Sequence, residues 1–149
     1  MSTIRVSAES DIAAPAERVY RVLSNYREHH PHILPPAFSD FAVEEGGVGA
    51  GTLMRFNMTT MGRTQSARHR VEEPEPGRVL REIDLDRDLQ TTFTVTPKGD
   101  GSHVTIDTIW NQGGIMGPVM RVLAPRVLGP IYRDELRNVD RYARELGDA

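Results

Sequence analysis

The sequence predicts an α+β domain in which a curved, seven-stranded antiparallel sheet packs around a long C-terminal helix. Residues 38–111 alternate with a period of two between turn signals, which is typical of consecutive β-strands. Residues 3–12 form one more alternating segment, and the residues after Gly113-Gly114 follow a helical period. A chain of 149 residues has the usual length of one domain, so we expect 1–149 to fold as a single unit.

The first strand is followed by signals for two short helices. Pro15 suits the start of a helix, and Glu17 is an acid in its first turn. A second short helix is expected from Tyr26 to His30, because Pro31 cannot continue it. The apolar residues of the first helix share one face: Val19, Val22 and Leu23.

The remaining elements are six strands and the C-terminal helix. Turn signals separate the strands at residues 46–51, 61–62, 74–77, 86–88 and 97–101. An apolar stripe predicts the helix: Leu128, Tyr132, Leu136, Val139, Tyr142 and Leu146. Because Pro118, Pro125 and Pro130 occur in its first half, we expect an interruption near residues 124–130.

Composition excludes several classes of function. The absence of Cys excludes disulfides, thiolate catalysis and Cys-ligated metals. A net charge of -3 argues against nucleic acid as a partner, and the glycines match no nucleotide-binding fingerprint, so we expect no cofactor. Without a signal peptide or a long apolar run, we expect a cytoplasmic protein and no stable membrane insertion. Lys98 is the only lysine among many arginines, a bias typical of GC-rich bacterial genomes.

The turn lengths allow the inward face of the sheet to be derived, because directly opposed residues point to the same side. The loops that would set the register are Gly62-Arg63, a symmetric loop centred on Glu75-Pro76, Arg87-Asp88, and a four-residue turn from Lys98 to Gly101. The central row of the inward face then contains one residue from each of five strands: Phe56, His69, Glu82, Phe93 and Ile106. Thr60, Gln65, Asp86, Leu89 and Trp110 would mark its open end.

This inward face grades from apolar to polar, which indicates a cavity rather than a plain core, since buried polar groups need partners or water. We therefore expect a mostly apolar small molecule to bind there. A one-residue bulge in the strand 79–85 would instead turn Glu82 and Asp84 to solvent. The predicted ligand-binding residues are Met54, Phe56, Met58, Gln65, Ala67, Thr91, Phe93, Ile106, Thr108, Trp110, Met116, Met120 and Leu123.

His69, Glu82 and Asp84 are the candidate catalytic residues. A His oriented by a carboxylate is a common proton-transfer unit, so the three residues could promote enolisation or dehydration. The alternative is a polar patch that hydrogen-bonds a ligand or water, and we predict no metal site here because the spacing is loose for one. The three histidines at 29, 30 and 32 are split by Pro31 and are expected in a solvated loop.

Several short motifs resemble those of a known superfamily. Residues 11–19 are similar to an "I-x-A-P-x-x-x-V" opening, Gly49-Ala50-Gly51 to a turn of the superfamily, and residues 71–78 to a "V-x-E-x-x-P-x-R" hairpin. With the amphipathic C-terminal segment, they resemble the helix-grip fold of the START-like (SRPBCC) superfamily, in its polyketide cyclase/dehydrase branch. That superfamily includes lipid and hormone binders, aromatase/cyclases and chaperone co-factors, with no common catalytic set.

Three hypotheses of function follow. The first is binding or carriage of a hydrophobic small molecule such as a lipid, an isoprenoid or an aromatic polyketide. The second is a cofactor-independent cyclase or dehydratase that uses His69 with Glu82 and Asp84, and the third is a protein-interaction module similar to the chaperone co-factors. In the first two, Trp110 and residues 115–128 would form the mouth and lid of the cavity. The sequence leaves open whether the ligand is transformed and what the oligomeric state is.

Overall fold

The computed structural model describes residues 1–147. Within this range the strands form one antiparallel sheet of seven, in the order β1-β7-β6-β5-β4-β3-β2, with one long helix at the C-terminal end. The predicted helix-grip architecture is therefore confirmed. The elements in chain order are β1 Ser2–Ile12, α1 Ala16–Ser24, a 3₁₀-helix His30–Ile33, β2 Phe38–Glu45, β3 Leu53–Thr60, β4 Arg63–Glu75, β5 Val79–Asp84, β6 Leu89–Lys98, β7 Gly101–Gln112 and α2 Met116–Leu146.

The second short helix begins later than predicted. The side-chain oxygen of Asn25 accepts hydrogen bonds from the backbone N–H groups of Arg27 and Glu28, which favours a turn over a helix after α1. The 3₁₀-helix then covers His30–Ile33, with Pro31 inside it rather than beyond it. Proline is tolerated there because the first turn of a helix has no internal partner for the missing N–H.

The predicted interruption of the C-terminal helix is wrong, because α2 runs through 31 residues with Pro125 and Pro130 inside it. Each proline removes a single hydrogen bond from the helical ladder. Both prolines are exposed to solvent, where water can satisfy the carbonyl groups that lose their partners. The second half of the helix carries most of the residues that it buries: Tyr132, Glu135, Leu136, Val139 and Ala143.

The pairing of β6 with β7 follows the predicted register, and Phe93 lies opposite Ile106. The hairpins β3–β4, β4–β5 and β5–β6 are each displaced by two residues, so His69 lies opposite Asp84 and not opposite Glu82. In the first of them Met61 and Gly62 form the loop, with φ values of 52° and 74°. When the centre of a hairpin loop moves by one residue, each residue pairs with a residue two positions away from its predicted partner on the neighbouring strand.

The single transverse row that the turn lengths predict is therefore wrong, while the predicted inward face is correct. A displacement of two residues keeps each side chain on its own face of the sheet. Glu82 and Asp84 both point inward and are buried, so the bulge that would turn them outward does not occur in β5. A register irregularity does occur between β4 and β5, but it lies near the turn, between Glu72 and Glu75.

Helix α2 packs against β1, β7, α1 and the 3₁₀-helix. It therefore covers one side of the concave face and leaves β3 to β6 as the wall of an internal space. No helix within residues 1–147 combines the length and apolarity needed to span a membrane.

Candidate functional site

A cavity of about 650 Å³ lies between the concave face of the sheet and α2. This volume is typical of sites for drug-sized ligands. Every residue predicted to bind the ligand lines this cavity, as do His69, Glu82 and Asp84. Their part in binding a ligand stays a prediction. The thirteen predicted ligand-binding residues are Met54, Phe56, Met58, Gln65, Ala67, Thr91, Phe93, Ile106, Thr108, Trp110, Met116, Met120 and Leu123.

The mouth of the cavity lies at one end of the sheet. The tip of the β3–β4 hairpin, the β5–β6 loop, the end of β7 and the start of α2 all contribute lining residues there. Exposed residues at this mouth are Met61, Arg63, Arg87, Asn111 and Met116. Four of the five residues predicted for the open end also line the cavity: Thr60, Gln65, Leu89 and Trp110.

His69 lies on β4 between two inward carboxylates of β5. Its Nε2 is 3.4 Å from Asp84 Oδ2, and its Nδ1 is 3.7 Å from Glu82 Oε1. The imidazole and the ring of Phe56 pack in a T-shaped arrangement, with 4.9 Å between ring centroids. Nδ1 is buried and has no hydrogen-bond partner among the described residues. A buried polar atom of this kind is rare and points to a missing partner.

The two carboxylates keep His69 charged. Burial lowers the pKa of the imidazole, but attraction to Asp84 and Glu82 outweighs burial and raises this pKa to about 9. At neutral pH the side chain is therefore an imidazolium, with a proton on each ring nitrogen.

Asp84 is held in place by the loop that follows β5. Its Oδ1 accepts hydrogen bonds from the backbone N–H groups of Asp86 and Arg87, at 2.8 and 2.9 Å. Arg87 also donates from Nη1 to Oδ2 at 3.2 Å. Burial raises the pKa of Asp84, but His69 and these backbone donors lower it to about 2. Asp84 is thus a negative charge held in a fixed position beside the Nε2 atom of the imidazolium.

Glu82 contacts two further buried side chains that the sequence reasoning missed. Tyr26 donates its hydroxyl to Glu82 Oε2 at 2.7 Å, and His30 Nε2 lies 3.9 Å from the same oxygen. His30 Nδ1 lies 2.7 Å from the backbone carbonyl of Leu23, which can only accept, so Nδ1 carries the proton. Burial opposes ionisation of Glu82, yet the imidazolium of His69 and the hydroxyl of Tyr26 lower its pKa.

The expectation of a solvated loop is wrong for His30, which is 2% exposed and stacks on Tyr26. Burial lowers the pKa of His30, so it is neutral at physiological pH. The apolar stripe of α1 contained the signal for both residues: Leu23, Tyr26 and His30 follow each other at helical spacing.

Glu135 on α2 is a further residue that the sequence reasoning missed. It lines the cavity and is 3% exposed. Burial, followed by the negative charge of Glu82, raises its pKa well above the usual value, so it is a neutral carboxylic acid. Its spacing was the available signal, because Glu135 lies three residues after Tyr132 and seven after Leu128 in the apolar stripe.

A chain of hydroxyl groups crosses from the sheet to α2. Thr91 and Thr108 face each other across β6 and β7, with 2.7 Å between their Oγ1 atoms. Thr108 Oγ1 is also 2.6 Å from the hydroxyl of Tyr132. The hydroxyls satisfy one another, so this chain differs from His69 Nδ1 in having no missing partner.

The polar floor of the cavity is therefore defined by His69, Glu82, Asp84 and Glu135. It combines one cation, two carboxylates and one neutral acid, which allows hydrogen bonding to a ligand and proton transfer. Within residues 1–147, no three His, Asp or Glu side chains are arranged to hold a metal ion.

Comparisons with known proteins agree with this architecture. The model of a family described as polyketide cyclase/dehydrase and lipid transport matches residues 3–144. The NMR structure of the KanY protein is similar with a TM-score of 0.84 at 29% identity, over 97% of this chain and 99% of that one. No curated protein matches the sequence significantly.

Two crystal structures share the fold at lower identity. A protein from Thermus thermophilus has a TM-score of 0.79 at 22% identity, over 97% of this chain and 99% of that one. The Zhui aromatase/cyclase from Streptomyces sp. R1128 has a TM-score of 0.72 at 16% identity, over 95% and 94% of the two chains.

Proposed function

The chain belongs to the polyketide cyclase/dehydrase and lipid transport family, and from this membership and the cavity we propose that it binds and carries a mostly apolar small molecule. The observation that carries the proposal is a cavity of about 650 Å³ with apolar walls and a polar floor. Candidate ligands are a lipid, an isoprenoid or an aromatic polyketide.

The walls and the floor contribute differently to binding. Side chains such as Met54, Phe56 and Phe93 offer apolar surface, and each 100 Å² that a ligand buries there contributes about 2.5 kcal/mol. The polar floor orients the ligand, since a few polar groups in a mostly apolar site set direction and specificity. A cavity with this division favours ligand binding over an interaction module that acts through an exposed face of the sheet.

Adjacent residues on β4 provide a matched test of this proposal. Ala67 lines the cavity, whereas Ser66 is exposed on the opposite face of the same strand. Ala67→Phe should fill the cavity and weaken binding of 1-anilinonaphthalene-8-sulfonate by roughly tenfold or more. Ser66→Phe adds the same ring outside the cavity and should leave the fluorescence titration unchanged.

Equal binding by both variants, or an absence of binding by the unsubstituted protein, would contradict the proposal. Native mass spectrometry of the purified protein provides a second measurement, because a co-purified ligand should be present in the unsubstituted protein and lost in Ala67→Phe.

A second candidate function is a cofactor-independent cyclase or dehydratase, favoured by the unpartnered Nδ1–H of His69. In a dehydration, Glu82 would take a proton from the carbon next to the reacting carbonyl, and His69 would protonate the departing hydroxyl group. The carbon–oxygen bond breaks, a carbon–carbon double bond forms, and water leaves. Glu82 would then return its proton to His69, whose Nδ1 lies 3.7 Å from Oε1.

A further inference from the structure

The carboxyl group of Glu135 lies in the cavity wall and has no hydrogen-bond partner within residues 1–147. Its oxygens are open to the cavity space, because among the described residues only His69 Nδ1 is both fully buried and unpartnered, although the side chain of Glu135 is only 3% exposed. The polar groups near it are already engaged, since Glu82 Oε2 accepts from Tyr26 and the hydroxyl of Tyr132 is paired with Thr108. A carboxyl group that is largely removed from water and has no protein partner is less stable in this wall than an apolar side chain, so an apolar residue here would make the free protein more stable.

Two donors on cavity-lining residues therefore have no hydrogen-bonded acceptor among the described residues, and the nearest carboxylate oxygen to His69 Nδ1 is Glu82 Oε1 at 3.7 Å. Glu135 is a neutral acid and carries an O–H group, while His69 carries an N–H at its unpartnered Nδ1. An ammonium group on a ligand would supply only donors and would leave the Nδ1–H unsatisfied. A plain hydrocarbon would leave both groups unsatisfied, whereas an uncharged oxygen with free lone pairs complements them.

We propose that Glu135 donates a hydrogen bond to an uncharged acceptor oxygen of the bound ligand, such as a carbonyl oxygen, and so determines which apolar molecules are retained. This inference rests on the proposed binding function. The polar end of such a ligand is an acceptor oxygen on an otherwise apolar body. This end lies toward α2 and the floor of the cavity.

Three naphthalenes of nearly equal size test the proposal by displacement of 1-anilinonaphthalene-8-sulfonate. They are 2-acetylnaphthalene, which has a carbonyl oxygen, 2-isopropenylnaphthalene, in which a CH₂ group replaces that oxygen, and 1-(2-naphthyl)ethylamine, which is a cation at neutral pH. The measured quantity is the ratio of the Kd of the hydrocarbon to the Kd of the ketone. Because the ratio is compared between variants, differences in partition from water cancel.

In the unsubstituted protein the ketone should bind most tightly of the three. Glu135→Leu should lower the ratio about tenfold, since one hydrogen bond is lost. Glu135→Gln keeps an N–H donor and should stay within about threefold of the original ratio. Glu145→Leu changes an exposed carboxylate of the same helix and should leave the ratio unaltered. Glu135→Leu should also raise the Tm by about 2–4 °C, because an apolar side chain replaces the unpartnered acid.

Three outcomes overturn the inference. The first is an equal ratio in the unsubstituted protein and Glu135→Leu while all three probes bind, which would leave the proposed binding function intact. The second is tightest binding of the amine, which would show that the floor selects a cation. The third is a failure of every probe, 1-anilinonaphthalene-8-sulfonate included, to bind the unsubstituted protein, and this result would remove the proposed function as well.

Discussion

His69 Nε2 lies 3.4 Å from Asp84 Oδ2, where the two residues face each other directly across β4 and β5. Both side chains are buried, so their attraction is little screened by water. The contact links the charge of the imidazole to the stability of the sheet, because losing either charge would leave the other buried with only its second partner, Arg87 for Asp84 and Glu82 for His69.

The first prediction concerns the pH dependence of stability. The pKa of His69 is raised from 6.5 to about 9 on folding, so its stabilising effect is complete below pH 6.5 and is lost as the pH rises through 9. The pKa of Asp84 is lowered from 3.8 to about 2, so its effect is complete above pH 3.8 and is lost as the pH falls through 2. The contribution of the pair is therefore largest between pH 3.8 and 6.5.

Urea unfolding at about pH 6.5 and 9.5 measures this effect. The free energy of unfolding should fall by an amount on the order of 3 kcal/mol between the two pH values, and His69→Gln should remove most of the fall. His103 is a matched control, because it pairs with Asp11 on the outside of the sheet. A pH profile that His69→Gln and His103→Gln change equally would contradict the prediction.

The second prediction concerns the origin of the raised pKa. Asp84→Asn keeps an oxygen for the backbone donors but removes the charge, so the pKa of His69 should fall from about 9 toward its ordinary value. Imidazole resonances followed by NMR over a pH titration measure the change. Asp86 is two residues away from Asp84 and exposed, so Asp86→Asn should leave the pKa of His69 unchanged. An unmoved pKa in Asp84→Asn would assign the shift to Glu82 alone.

The third prediction concerns the hydrogen bond from Tyr26 to Glu82, which is 2.7 Å long and buried. Tyr26→Phe removes the donor and leaves a buried carboxylate oxygen unsatisfied, so stability should fall by about 1–3 kcal/mol at neutral pH. Tyr142→Phe removes a hydroxyl group near the surface and should cost less than about 1 kcal/mol. Urea denaturation measures the stability of both variants. Equal losses of stability would show that the buried hydrogen bond contributes no more than a hydrogen bond near the surface.

The inward face was predictable from the sequence because side chains alternate along a strand, and alternation is unaffected by a displacement of two residues. The pairing partners of these residues on neighbouring strands were not predictable, because they depend on which residues form each loop. In the β3–β4 hairpin the sequence permits either Met61-Gly62 or Gly62-Arg63, and the choice between them changes the partner of His69 from Phe56 to Met54.

The polar floor was predictable only in part, because strand alternation fixes the direction of its sheet residues but not that of its residue on α2. His69, Glu82 and Asp84 belong to strands whose alternation is clear, so their inward direction followed from the pattern. Glu135 interrupts an apolar stripe, where a charged residue is ordinarily assigned to solvent. Its burial depends on the width of the cavity opposite α2, which is a property of the assembled sheet and helix.

The fourth prediction separates catalysis from carriage. If His69 transfers a proton, His69→Gln should lower turnover of a hydroxy-ketone substrate by about 10²–10⁴ and leave its Kd within a few fold, because general acid catalysis contributes in this range. Product formation followed by mass spectrometry, with Kd from probe displacement, provides the two measurements. Equal losses in turnover and binding, or no turnover by the unsubstituted protein, would favour carriage.

The last prediction is that the first half of α2 is the lid of the cavity. Residues 115–130 contain two internal prolines and line the mouth, whereas residues 132–146 carry most of the buried contacts. The first half also exposes large apolar side chains, which a rigid helix on a closed core would bury: Ile115, Met116, Val119 and Val122.

Hydrogen exchange measures the difference between the two halves of α2. Because α2 is continuous, the cavity can open at this end only if the helix frays from its N-terminus. Pro125 and Pro130 lack backbone N–H donors, which makes that fraying easier. Amides in residues 115–130 should therefore exchange faster than those in 132–146 in the free protein. Met120 and Leu123 line the cavity. Adding 1-anilinonaphthalene-8-sulfonate should therefore slow exchange in the first half alone, because a probe in the cavity would contact these two residues only when the helix is closed. If both halves exchange alike and neither responds to the bound probe, the ligand enters elsewhere, and the prolines only shape the helix around its sheet.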